Sequence, residues 1–386
     1  MGEIIPIKLN EKPAVSVQQV ERFLNQNWEF SRNMNVKELV SYDSRTYVVT
    51  STDSERQPLK YIFKIANSTE SRDLRFFDCL SIILQHLQNN GILAQKLIKS
   101  KNGKEILDFE EKPINDDKLT DQGTTNPLKS FLLSYIEGDL ILNRTIDKDL
   151  CWRISRELYR LTNCVDHVGY LHFAITIRSL GSKFQICSNL GYLEEFSANS
   201  IWNIKNASLI RHLIPHFECP HKQMILKLTL LNYEEQILPN MKNLTRGFIH
   251  GDPNDMNILI ADGLRVGFID WQDCTISLKV YDLSILIFSL MSIGIDSPES
   301  LDVYSIGKYC LKGYLAENTD FLNEMDIKML PIFVQTRIAL SLCTGYYTNK
   351  YLDPTNLYLL NTQKTGWRLL EDLLNNHKIF SEQWKL

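Results

Sequence analysis

One segment constrains this chain more than any other: Gly247 to Cys274, reading GFIHGDPNDMNILIADGLRVGFIDWQDC. Two short apolar strands, 257–261 and 265–270, flank a tight Asp262-Gly263 turn. That is a hairpin signal. His250-Gly251-Asp252 stands just before the first strand, and Asp270 closes the second. Antiparallel pairing brings these polar ends together, and Asn257 opens the first strand on the same side. A carboxylate, an amide oxygen and a second carboxylate therefore gather around one point.

Phosphoryl transfer needs such a point. The transferred group carries charge that magnesium neutralises, and magnesium takes a few hard oxygen ligands while keeping waters. Asn257 and Asp270 supply an amide oxygen and a carboxylate for that metal. A separate carboxylate must accept the proton of the attacking hydroxyl, and Asp252 stands where that is possible. The spacing matches the kinase pattern of His-x-Asp, then Asn five positions on, then an Asp on the next strand pair. His250 reads as structural support for the loop. Asp282 opens an apolar helix twelve residues after Asp270 and reads as a brace, an acidic first-turn residue that accepts backbone N–H bonds.

The upstream half reads as the nucleotide side. Residues 46–50 (TYVVT) and 61–65 (YIFKI) form an antiparallel pair joined by a long polar turn. Lys64 in the second strand is placed to hold the α- and β-phosphates; a solvent-facing strand lysine is the other reading. The turn holding Ser41 and Ser44 would cover the phosphates with backbone N–H and hydroxyl groups, although it has no glycine. A helix is expected over 71–90, with Leu74, Phe77, Leu84 and Leu87 on one face and Gly91 at its stop. It offers Asp73 and Asp78, of which Asp78 is the better partner for Lys64. A strand near 105–109 leads into the polar segment EEKPINDDKLTDQGTTNP, expected to be a surface loop. FLLSYI, 131–136, reads as a strand and hinge whose backbone, from Ser134 to Ile136, would meet a nucleobase.

Beyond the hinge the texture turns helical, at 151–162, 224–238, 281–293 and from Asp326 onward. The expected fold is α+β and bilobal, protein-kinase-like, with a small antiparallel-sheet N-lobe (1–134) and a larger, mainly helical C-lobe (135–386). Composition agrees: 386 residues at 44% apolar content are enough for two packed lobes. A net charge of -4 does not favour nucleic acid as a partner. The start MGEIIPIKLN lacks the pattern of a signal peptide, and Pro6 breaks the myristoylation pattern that Gly2 invites. The apolar stretch from Leu283 to Ile293 is too short to span a bilayer, so no membrane partner is expected. Eight cysteines stand singly, Cys187 among them, which suits free thiols in the cytoplasm. Cys219-Pro220-His221 is the nearest approach to a metal spacing and lacks a second pair.

Lys64, HGDPNDMN (250–257) and FIDW (268–271) resemble the aminoglycoside phosphotransferase and choline-kinase-like superfamily. Within it the chain looks most like the hydroxylysine kinases, through Ser41-Tyr42-Asp43, residues 200–206, Asn254-Asp255 and residues 364–368. The likeness runs from about residue 35 to about 375. It departs in the metal motif (Ile-Asp-Trp-Gln-Asp), in Ile136-Glu137-Gly138-Asp139 and in the helix acid, Asp78 for Glu. The resemblance implies a cytoplasmic, magnesium-dependent enzyme that phosphorylates the side-chain hydroxyl of 5-hydroxy-L-lysine with GTP, ATP being the other donor. It also implies Asp252 as base and Asn257 and Asp270 as metal ligands.

The partner expected is thus a small hydroxyl compound, a cationic amino alcohol or hydroxy amino acid. Choline, ethanolamine, homoserine and aminoglycosides stay open as acceptors. A pseudokinase that uses the fold only for binding is the third reading. Trp202 and Trp271 could offer aromatic faces to a cation, with core packing the plainer role for Trp202.

Overall fold

The structure is a computed structural model that describes residues 12–30, 33–52, 57–110, 127–175, 191–376, 379 and 382–384. The N-terminal start, most of the 110–127 polar segment and Cys187 lie outside the described residues. The chain divides into two compact units, Asn10–Gln85 with Gln95–Ile136, and His86–Ala94 with Glu137–Leu386.

The smaller unit opens with helix α1 (Val17–Asn27). Ser16 caps it: its hydroxyl accepts from the Gln19 N–H, and the Gln19 side chain accepts from the Ser16 N–H at 2.8 Å. Then follow β1 (Asn33–Leu39), β2 (Arg45–Thr52), β3 (Leu59–Ile65), the start of α2 (Leu74–Asn89), β4 (Ile106–Phe109) and β5 (Leu128–Ser134). The strands form one antiparallel sheet in the order β1-β2-β3-β5-β4. Alternation along β3 puts Phe63 and Ile65 on one face, in a core with Val20, Leu24 and Trp28 of the α1 region. Lys64 falls on the opposite face, paired in register with Phe131, whose ring meets Phe77 of α2 at 5.8 Å.

The larger unit contains β6 (Asp139–Leu140), α3 (Lys148–Ile175), α4 (Gly191–Ser197), α5 (Pro220–Asn232), β7 (Arg246–Ile249), β8 (Ile258–Ala261), β9 (Arg265–Phe268) and β10 (Thr275–Leu278). Helices α6 (Lys279–Gly294), α7 (Val303–Tyr314), α8 (Glu324–Tyr351) and α9 (Asn361–Asn375) follow. Helices α6 and α8 pack together and are buried on nearly every side. Among the described residues α8 is the one helix long and apolar enough to cross a membrane, but most of it is buried inside the protein, as befits a core helix.

The short strand β7 feeds the 250–257 segment, and its position is over-determined. One edge pairs with β10. Around it, carboxylates from three helices accept further backbone N–H groups. Asp326 of α8 takes Thr245 N–H at 3.0 Å, Asp166 of α3 takes Phe248 N–H at 2.7 Å, and Asp282 of α6 takes His250 N–H at 2.9 Å. Asp166 is itself paired with buried Lys279 at 2.7 Å.

Candidate active site

The expected hairpin forms, with Ile258 opposite Phe268 and Ala261 opposite Arg265. Gly263 and Leu264 turn it with φ of +68° and +59°. The Ile269 N–H donates to the Asn257 carbonyl at 3.0 Å, which carries the pairing on to the polar ends. His250, Asp252, Asn257 and Asp270 therefore meet at one end of the hairpin.

Each loop residue has an identifiable fixture. His250 is fully buried, and its Nε2 lies 3.1 Å from the Ile269 carbonyl while the Asp252 N–H donates to its Nδ1 at 3.3 Å. That pattern fits the neutral ring with its proton on Nε2. The imidazole thus ties Asp252 to the residue preceding Asp270. Gly251 has φ +87°, and a Cβ there would come 2.1 Å from the Asp273 carbonyl oxygen. Only glycine fits this position. Asp282 accepts both the His250 and Gly251 N–H groups at 2.9 Å. Its partners are thus amides of the loop that it was expected to brace. Burial pushes its carboxyl up to about 7.

Asp252 is half-buried. Its Oδ2 accepts from Asn254 Nδ2 at 2.7 Å and from Asn257 Nδ2 at 3.1 Å, and its Oδ1 from Arg337 Nη2 at 2.8 Å. Burial raises its carboxyl pKa, the Arg337 guanidinium pulls it back, and the Asp270 carboxylate adds to the rise. Asn257 Nδ2 also donates to the Asp252 carbonyl at 2.9 Å. With its amide nitrogen so held, the amide oxygen is the Asn257 group left to meet a cation. Asp270 sits in the left-handed region, φ +65° and ψ 71°, which Asp tolerates better than most residues. An amide oxygen and a carboxylate fit the hard, sparse ligand set of magnesium.

Two residues here, Arg337 and Tyr358, carry no signal in the sequence analysis. Arg337, in α8, is nearly buried, and its guanidinium lies 4.7 Å over the Trp202 ring. Trp202 thus presents its face to this arginine. Tyr358, in the turn before α9, has its hydroxyl pKa raised by burial first and then by Asp252, Asp255 and Asp270, so it borders the acidic group. Asn254 orients Asp252 and closes an Asx turn onto Met256 N–H at 2.8 Å.

The nucleotide-side residues lie in the smaller unit. Lys64 is 3% exposed in a central strand, which removes the reading of a solvent-facing lysine. Asp78 is exposed on α2, where desolvation and then the carboxylates of Asp73 and Glu105 raise its pKa. Its side chain is therefore outside the layer that buries Lys64. Ser41 donates its hydroxyl proton to the Ser44 carbonyl at 2.6 Å, closing its own turn, and Ser44 is buried. Ser134 donates its N–H to the Lys96 carbonyl at 2.8 Å and accepts from Gln95 on its own carbonyl at 3.2 Å. Ile136 follows just beyond that strand. Cys219 is an exposed free thiol at the N-cap of α5. A cavity of about 170 Å³, lined by Arg153, Arg156, Arg160 and Arg265, contains none of the candidate residues.

The protein-kinase-like fold and the gathering of Asp252, Asn257 and Asp270 are what a phosphotransferase calls for, and the comparisons agree. Residues 207–318 match the phosphotransferase enzyme family. Hydroxylysine kinase of Xenopus laevis is 26% identical over 376 residues, covering 94% of this chain and 91% of its own. Among solved structures, an amicoumacin kinase in complex with AMP-PNP, Ca2+ and Ami superposes with TM-score 0.59 at 15% identity, covering 94% of both chains. A microcompartment-associated aminopropanol kinase gives 0.56 at 15% identity, covering 93% of this chain and 98% of its own. The chain is thus similar to the phosphotransferase enzyme family in 207–318 and to a hydroxylysine kinase along nearly its whole length, which supports a phosphotransferase acting on a hydroxyl group.

Proposed function

We propose that the chain transfers the γ-phosphoryl group of GTP to the side-chain hydroxyl of 5-hydroxy-L-lysine in the cytoplasm. The observation that carries the chemistry is the Asp252 carboxylate, held beside Asn257 and Asp270 at one end of the hairpin. Asp252 accepts the hydroxyl proton as the acceptor oxygen bonds to the γ-phosphorus, the bond to the β-phosphate oxygen breaks, and the nucleoside diphosphate departs. Asn257 and Asp270 would hold Mg2+, which neutralises phosphate charge when bound. Lys64 supplies a cation for the α- and β-phosphates, and the Ser41–Ser44 turn and the Ser134–Ile136 backbone supply further nucleotide contacts. His250 and Asp282 keep the loop in place.

The acceptor assignment is supported by similarity to a hydroxylysine kinase along nearly the whole chain. It is supported also by the acidic surroundings of Tyr358, which suit an acceptor bearing an ammonium group. In 5-hydroxylysine the hydroxyl neighbours the side-chain ammonium. An amino alcohol without a carboxylate is the second reading, favoured by the fold shared with an aminopropanol kinase.

The test is nucleoside diphosphate release with Mg2+ and either GTP or ATP, offering 5-hydroxy-L-lysine, lysine, choline, ethanolamine and homoserine. Turnover with hydroxylysine and none with lysine is expected, with GTP the better donor. Turnover with another alcohol alone would keep the mechanism and discard the acceptor.

A further inference from the structure

An ionised carboxylate offers about four lone-pair positions. In Asp252 the contacts among the described residues fill three of them. Asn254 and Asn257 both donate to Oδ2, and Arg337 donates to Oδ1 at 2.8 Å. The remaining position is on Oδ1, so Oδ1 is the oxygen that faces an incoming hydroxyl. Arg337 is the group that fixes it.

The guanidinium is itself fixed. Arg337 is 7% exposed in the core helix α8 and stacks on the Trp202 ring. The Trp202 carbonyl accepts from the Tyr281 hydroxyl at 3.1 Å, and Tyr281 is buried. Arg337 Nε is buried without a hydrogen-bond partner. Such an orphan donor destabilises a fold, so packing that keeps it there holds the arginine in this one orientation. The ion pair joins residues 85 positions apart.

We propose that Arg337 is a positioning residue: anchored against Trp202, it aims the remaining lone pair of Asp252 Oδ1 at the acceptor hydroxyl. The proposal rests on Asp252 being the base. Trp202 and Tyr281 are then the support behind the arginine. Lysine is a poor substitute, because the role needs a planar group that stacks and donates in a fixed direction.

The experiment compares Arg337→Gln, Arg337→Lys and Arg337→Ala, each alone and in an Asp252→Asn background. It reads kcat, acceptor KM and magnesium-nucleotide affinity. Arg337→Gln is expected to lower kcat by roughly 10²-fold, the scale of a misplaced reacting group. Nucleotide affinity is expected to stay at the wild-type level, which also reports a folded chain. Arg337→Lys keeps the buried positive charge and serves the same comparison if Arg337→Gln does not fold; its kcat is expected to stay low. Guanidinium ion added to Arg337→Ala is expected to restore kcat by about tenfold. In the Asp252→Asn background Arg337→Gln should cost nothing further, because the two residues act as one unit.

Full kcat in Arg337→Gln and Arg337→Lys, with Asp252→Asn crippled, would overturn the positioning role and leave the base in place. Losses that multiply in the double variant would overturn it too, by showing that Arg337 acts apart from Asp252. Full kcat in Asp252→Asn would remove the base reading itself and the proposal with it.

Discussion

Two regions of this protein hold their functional groups by different means. In the 250–257 loop the fixtures come from far along the chain. Asp282 clamps two consecutive N–H groups, Arg337 takes one oxygen of Asp252, and the His250 ring ties the loop to the residue before Asp270. Around β3 the strand ladder and a local turn set the positions. Lys64 is placed by its position in a central strand, and Ser41 hydrogen-bonds within its own turn. The difference has a chemical sense. A proton acceptor and metal ligands need orientation to a fraction of an ångström. A cation beside a polyphosphate needs charge and burial, which a strand position supplies.

If that contrast holds, substitutions in the loop should be severe and those around Lys64's helix mild. Gly251→Ala should have the largest effect. Its Cβ would overlap the Asp273 carbonyl oxygen, so the loop must move, and activity should fall by at least roughly 10²-fold. Steady-state turnover checks this, and an active alanine variant would show the loop to be more pliable than its contacts imply.

Asp270→Ala should come next. It should weaken nucleotide binding in magnesium by at least the roughly tenfold that even an outer-shell partner is worth to a metal site. Titration with and without EDTA reads it; equal affinity in both conditions for wild type would break the metal assignment.

Asp282→Asn should be milder in turnover and plain in stability. It leaves one of two buried N–H donors without a good acceptor, a loss of about 1–3 kcal/mol. The pH dependence has a definite sign. Burial raises the folded-state pKa to about 7, above the unfolded value of about 3.9. Its contribution is therefore full below about pH 4 and is lost as pH rises through about 7. Urea midpoints at about pH 5.5 and about pH 7.5 should show the wild-type margin over Asp282→Asn shrinking at the higher pH. A growing margin would contradict the buried, raised carboxyl.

Asp78→Ala should have the smallest effect. Asp78 is exposed, so stability should move by no more than about 0.5 kcal/mol and nucleotide affinity should hold. A marked loss of affinity would restore Asp78 as the acid that serves Lys64 and would blur the contrast.

The same two regions explain what could be read from the chain. Asp252, Asn257 and Asp270 were legible because a tight turn and a short hairpin fix their spacing within nineteen residues of sequence. Strands β2, β3 and β5 and helices α3, α5, α6, α8 and α9 were legible from apolar periodicity. Strand β1 was not: only Val36 of its seven residues is buried, so NMNVKEL carries no alternation to read. Helix α1 leaves a trace in Ser16 and Gln19, a capping-box spacing. Arg337 left none. Inside an apolar helix it looks like any long side chain, and its partner lies 85 residues away. The brace at Asp282 was legible as a brace, but which N–H groups it holds depends on how α6 packs on β7.

The most direct test of the account is the Asp252→Asn variant, with magnesium-nucleotide affinity and single-turnover phosphoryl transfer measured on the same preparation. Nucleotide affinity close to wild type with transfer slowed by roughly 10²-fold or more is the predicted result, the scale of a lost general base. Transfer at a near wild-type rate would contradict the central claim that this carboxylate takes the acceptor's proton.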